Sequence, residues 1–251
     1  MSVVSVQNLQ AGYDEKKVLQ DVNLKAEKQE ITAILGESGC GKTTLMKNII
    51  GLLPPWSGSI KIFDKEIVGM EEPQFNQLRQ NMGVLFQNGA LLNSLTVAEN
   101  VAIPLEQHTD LPLSLINRLV IMKLNLVGLK DAAVLLPSEL SGGMRKRAAL
   151  ARAIALDPDL LFCDEPSAGL DPLIAANLDR LICSLRDRLG MSVIIISHSV
   201  PSVERISDKV VFLEKGQVIF TGTVKKAKNS GIESVETFFK EGKGITSSSQ
   251  K

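Results

Sequence analysis

Residues 31 to 35, Ile-Thr-Ala-Ile-Leu, are an apolar, β-branched run, and the chain leaves them directly through Gly36-Glu37-Ser38-Gly39-Cys40-Gly41-Lys42-Thr43. A strand that passes into G-x-x-x-x-G-K-[ST] and then into a helix, read here over residues 42 to 53, leaves few folds open. The helix must return onto a largely parallel sheet. The glycines let backbone N–H groups turn inward around an anion, and the helix N-terminus adds positive potential. On this reading residues Gly36 to Thr43, with Thr44 beside them, hold a nucleotide. Lys42 reaches its β- and γ-phosphates, and the Thr43 hydroxyl ligates Mg2+. At ordinary glycine frequency a chance match in a chain this long is on the order of one percent, so an accidental Gly-rich turn is set aside.

Further β-branched runs at residues 3 to 6, 60 to 62, 83 to 86, 160 to 163, 193 to 196, 210 to 213 and 218 to 220 read as short strands. Residues 91 to 157 carry an amphipathic helical pattern with few strand signals, and strand–helix alternation resumes at Leu160. The layout predicts a mostly parallel α/β core with a helical lobe inserted between Gln87 and Pro158. The expected boundaries are one domain over 1–240, with a catalytic core at about 1–88 and 158–240 and a helical subdomain at about 89–157. Residues 241–251, small and polar, read as a flexible tail.

Composition removes several function classes. Twenty-eight basic residues balance twenty-eight acidic ones, so nucleic acid is not expected as the main ligand. Cys40, Cys163 and Cys183 are too scattered for a Cys-x-x-Cys metal site and read as reduced thiols of a cytosolic protein. No apolar run reaches the ~18 residues of a membrane span. The opening Met1-Ser2-Val3-Val4 does not resemble a signal peptide. The chain is therefore expected to touch a membrane only through a partner.

The apolar residues Leu160 to Cys163 end in Asp164-Glu165. Asp-Glu pairs usually lie on solvated surface, but a buried strand before this one and a phosphate loop upstream reverse that expectation. In a parallel sheet ligands lie beyond the carboxyl ends of strands, which would deliver both acids to the phosphates. Asp164 would then hold the Mg2+ shell and Glu165 would polarise the attacking water. Cys163 reads as a small core residue. Upstream of this strand stands Leu140-Ser141-Gly142-Gly143-Met144, followed by Arg145-Lys146-Arg147. Those three charges read as a solvated helix face, with the alternative that some face a partner's phosphates.

With these elements in order, the chain resembles the ATP-binding subunits of ABC transporters over about residues 3 to 225. Their signature is close to Leu-Ser-Gly-Gly-Gln, with Met144 here in place of the Gln. The resemblance implies a P-loop NTPase core of the RecA-like kind, an antiparallel β-subdomain and an inserted helical subdomain. It also implies two identical subunits sandwiching two ATP molecules, with Ser141, Gly142, Gly143 and Met144 of each capping the ATP held by the other. Met144 cannot donate the side-chain hydrogen bond that Gln offers, which shifts weight onto Ser141 and the backbone. Tyr13 is implied to stack on adenine, with Val18 packing beside it. Gln87 is implied to bridge Mg2+, the water and the lobe. Asp171 belongs to the D-loop Ser167-Ala168-Gly169-Leu170-Asp171, and His198 senses the γ-phosphate. His108 reads as a surface residue in a Pro-flanked connection.

Residues 86 to 92, 95 to 101, 104 to 109 and 136 to 153 are similar in particular to ATPases of Mla-type phospholipid transporters. That branch implies transport of phospholipids between bacterial membranes in maintenance of outer-membrane lipid asymmetry. Its partners would be a multi-span membrane permease, an MCE-domain lipid-binding subunit and a STAS-domain regulator. The place of work would be the cytoplasmic face of the inner membrane. Residues 87 to 101 are expected to receive a helix of the permease through Leu91, Leu92 and Leu95. Transporters for amino acids, metals or lipoproteins share the same catalytic motifs and remain the alternative. A non-transport ABC ATPase is a further one, disfavoured by a single neutral cassette.

Overall fold

Strand β3 (Ile31–Leu35) is buried at every residue, as a run without polar interruption requires when both faces are covered. In the computed structural model, which describes residues 1–242, the chain forms two units. The first comprises Met1–Phe75 and the chain from Ser192 onward; the second comprises Asn76–Met191.

In the first unit β1 (Ser2–Tyr13) and β2 (Lys16–Glu27) form a long antiparallel hairpin. With β4 (Ser57–Ile62) and β5 (Lys65–Glu66) they make a sheet of order β2-β1-β4-β5. Burial alternates along Val22, Asn23, Leu24, Lys25 and Ala26, the period of a strand with one face in the core. Alongside, β3 pairs in parallel with β8 (Ser192–Ile196) on one side and β9 (Lys209–Glu214) on the other. β9 turns through Lys215-Gly216 into antiparallel β10 (Gln217–Gly222).

Helix α1 (Lys42–Ile49) follows the glycine loop. It is shorter than the expected span to residue 53, because Gly51 adopts a positive φ of 72° and Pro54 and Pro55 follow. Helices α7 (Val200–Ile206), α8 (Val224–Ala227) and α9 (Glu233–Glu241) complete this unit. Val200, Val203, Ala227, Val235 and Phe239 pack with Ala33, Leu35, Val210 and Phe212 in one core. Phe238 sits edge-on to Phe212, with ring centroids 5.3 Å apart. Helix α9 takes in Lys240 and Glu241; the remainder of the tail, 243–251, lies outside the described residues.

Helix α2 (Glu72–Arg79) spans the boundary in sequence. In the second unit β6 (Met82–Leu85) runs parallel to β7 (Leu160–Asp164), pairing Met82 with Leu160 through Leu85 with Cys163. Between them lie α3 (Val97–His108), α4 (Leu113–Leu126) and α5 (Gly142–Ala153), and α6 (Pro172–Leu189) follows β7. Thr96 and Glu99 form a reciprocal capping box at the start of α3, satisfying two backbone donors. His108 is the last residue of α3 rather than part of a connection, and it is exposed. The buried Lys123 of α4 pairs with Asp157 before β7.

Candidate functional site

The phosphate loop belongs to the first unit. Gly36, Gly39 and Gly41 have φ of 145°, 79° and 111°, values that an L side chain rarely adopts. At Gly36 space is also closed, since a Cβ would lie 2.1 Å from the Leu213 carbonyl oxygen. Lys42 is 9% exposed and its ammonium donates to the carbonyls of Gly36 and Glu37, both at 2.8 Å. It is thus folded over its own loop. Thr43 is exposed on the first turn of α1, and Thr44 is buried. Burial pushes the Cys40 thiol up from its ordinary range, and neighbouring Lys42 opposes that shift.

The loop is propped from later in the chain. The Gly216 N–H donates to the Cys40 carbonyl at 3.1 Å, and the Gln20 N–H donates to the Gly216 carbonyl at 2.8 Å. Val18 and Leu19 lie against Gly41, 3.3 and 2.7 Å from where a Cβ would stand. The Tyr13 ring is exposed; Lys47 sits 5.7 Å from its centroid and donates to its hydroxyl at 3.4 Å. His198, exposed just after β8, joins Gly36, Glu37 and Ser38 in lining a cavity of about 770 Å3 whose other wall includes Phe212 and Phe238.

The second unit holds the acids and the signature. Asp164 ends β7 and is buried; Glu165 is half-buried with φ 47°, a left-handed conformation unusual for this residue type. Ser141 is the N-cap of α5, its hydroxyl accepting from the Met144 N–H at 3.3 Å. That bond fixes the helix start where Gly142 and Gly143 present their amides. Asp171 caps α6, accepting from Leu173 and Ile174 N–H groups at 3.0 Å each, a structural role that its D-loop position did not reveal. Gln87, Gly142, Ala168 and Gly169 help line a cavity of about 730 Å3. Of the three residues suggested for Mg2+, Thr43 belongs to the first unit, and Gln87 and Asp164 to the second.

Three residues that sequence reasoning passed over act here. Lys146, expected on a solvated face, is 8% exposed and donates to the carbonyls of Gln87 and, at 3.2 Å, of Glu165. Burial lowers the pKa of its ammonium, while the carboxylates of Glu165 and Asp164 pull it back up. Arg152, on the same helix, donates to Gly89 and Ala90 carbonyls at 2.9 and 2.7 Å. Asn100, fully buried on α3, accepts from the Leu92 N–H at 2.8 Å and donates to the carbonyls of Leu92, Leu95 and Thr96. It thereby shapes the loop that carries Leu92, exposed, and Leu91 and Leu95, half-buried. The signal for Lys146 is its position three residues after Gly143 and four before Leu150, on the buried stripe of α5.

Residues 19–168 match the ABC transporter family. The chain is 43% identical over 239 residues to the intermembrane phospholipid transport system ATP-binding protein MlaF of Haemophilus influenzae, covering 95% of this chain and 90% of that protein. It is 44% identical over 208 residues to MlaF of Escherichia coli strain K12, covering 83% and 77%. Among solved structures, the dimeric post-hydrolysis state of the ATP-binding cassette MJ0796 bound to ADP and Pi superposes with a TM-score of 0.81 at 26% identity. That match covers 88% of this chain and 98% of the cassette. The chain belongs to the ABC transporter family, as one of its ATPases.

Proposed function

We propose that this chain is the ATP-hydrolysing motor subunit of a transporter that moves phospholipids between bacterial membranes. The observation that carries the cargo is the 43% identity with the H. influenzae phospholipid-transport subunit along 95% of the chain. Among the described residues no helix is long and apolar enough to cross a membrane. On this reading the subunit reaches the cytoplasmic face of the inner membrane through a multi-span permease, with an MCE-domain subunit and a STAS-domain regulator in the same assembly. The helical subdomain, about 89–157, and the Leu91, Leu92 and Leu95 loop are the permease contact. Purification of the tagged full chain from its own membranes is expected to bring down a permease, an MCE protein and bound phospholipid. Recovery instead with a binding protein for amino acids or metals would overturn the lipid assignment.

The chemistry follows from the residue types. Tyr13 and Val18 hold the adenine, and residues 36 to 44 hold the phosphates. Thr43, Gln87 and Asp164 offer oxygen donors, the ligand type that Mg2+ prefers. Among the described residues there is no cluster of three His, Cys, Asp or Glu suited to a metal. When bound, Mg2+ neutralises charge on the phosphate oxygens. Glu165 accepts the proton of the attacking water, Gln87 orients that water, and His198 contacts the γ-phosphate.

The subunit works as a homodimer in which Ser141 and the amides of Gly142 and Gly143 cap the ATP of the other copy, while the D-loop around Asp171 meets its counterpart. Subunits carrying Ser141→Arg and subunits carrying Lys42→Ala are each expected to hydrolyse ATP poorly. Mixed in equal amounts, they are expected to regain activity, because each mixed pair contains one intact composite site. A mixture no faster than its components would overturn independent composite sites.

A further inference from the structure

Helix α5 does more than present the signature at its N-terminus. Its buried stripe, Gly143, Lys146, Ala149 and Leu150, contains one cation among small and apolar residues. An apolar side chain of similar length would fill that position without the cost of burying a charge. The ammonium is held instead by two backbone carbonyls, those of Gln87 and Glu165. Both belong to segments that need holding. Glu165 is left-handed at φ 47°, and the segment after Gln87 turns through Gly89 at 75° and Ala90 at 51°. Arg152, further along α5, grips the carbonyls of Gly89 and Ala90. One helix therefore holds residues 87 to 90 at three carbonyls, and through Lys146 the same helix also reaches the peptide of Glu165.

We propose that Lys146 is a positioning residue for ATP hydrolysis, fixing the peptides of Gln87 and Glu165 in one arrangement through a single buried ammonium. The inference rests on the reading of Glu165 as the base and Gln87 as the group that orients the water. It adds a physical link: a shift of α5, the helix that begins at Ser141, carries both residues with it. The capping of a nucleotide at the signature and the aim of the base are then parts of one rigid piece.

The test is steady-state and single-turnover hydrolysis of Mg-ATP by the full chain bearing Lys146→Met, Lys146→Arg or Glu165→Gln, and by the Lys146→Met/Glu165→Gln double variant. Lys146→Met is expected to lower kcat by about 10- to 100-fold, the scale of a misplaced reacting group. Its KM and its affinity for ATP are expected to stay those of the parent. Lys146→Arg, which restores N–H donors and a charge, is expected to recover most of the rate. In the Glu165→Gln background Lys146→Met is expected to add clearly less than it costs the parent, because the part of its effect that runs through Glu165 is already lost. Parental kcat in Lys146→Met, a loss matched by weaker ATP binding, or failure of Arg to rescue would overturn the proposal. So would a full additional loss in the double variant. If Lys146→Met does not fold, Lys146→Leu, which likewise offers no donor, is read against Lys146→Arg by the same criteria. Normal turnover in Glu165→Gln would instead sink the base assignment, and so separates the two failures.

Discussion

Replacing Glu165 by Gln is expected to reduce ATP turnover by about 100- to 10,000-fold, the range ascribed to a well-placed general base. The amide keeps the size and shape of the carboxylate, so the half-buried site is not emptied. The left-handed backbone at φ 47° and the Lys146 bond to the Glu165 carbonyl involve main-chain atoms that the substitution does not touch. Binding of ATP should therefore persist while proton removal from water fails. The ATP-bound pair of subunits should then accumulate, visible as a dimer by size-exclusion chromatography with Mg-ATP. Turnover at the parental rate would remove Glu165 from the role of base.

The second large effect is expected at Lys42, and it concerns binding itself. Its ammonium is almost fully buried and held at 2.8 Å by two carbonyls of its own loop. Redirected to phosphate oxygens, it would offer charge-assisted hydrogen bonds of about 1.5–3 kcal/mol each. Two such bonds, about 3–6 kcal/mol before the two loop bonds given up in exchange, correspond to a loss of roughly 100- to 20,000-fold in ATP affinity on Lys42→Ala. Equilibrium titration with ATP measures this directly, and an affinity within about tenfold of the parent would contradict the role. The contrast with Glu165→Gln is the useful feature: one variant binds without turning over, whereas the other fails to bind.

The parts legible in the sequence share one property: their signal is continuous. β3, the glycine loop and the apolar strand ending in Asp164-Glu165 are unbroken segments whose residue types admit little else. β2 escaped a specific assignment because its alternation is confined to Val22 to Ala26, with register shifts against β1 at several points. Helix α9 was hidden because its apolar residues find their partners on α7 and β9, which the local sequence does not display. Lys146 was misread because a charge between two arginines looks solvated. What decides its burial is the packing of the Gly143–Leu150 stripe, a tertiary fact. Asp171 shows the converse: its capping of α6 was legible as an Asp directly before Pro172, a helix-start signal that the motif around it overshadowed.

The pairing of β3 has a consequence for how the protein is made. Its neighbours on either side, β8 and β9, come more than 150 residues later, and the turn that supports Cys40 comes later still. Such distant pairing is slow to form and leaves strand edges open meanwhile. A growing chain will have synthesised its glycine loop long before anything can hold that loop in shape. The glycine loop is therefore translated well before the strands and the turn that finish it. Chains that stop before residue 209 lack both β9 and the Gly216 turn, so an incomplete product does not acquire the finished loop.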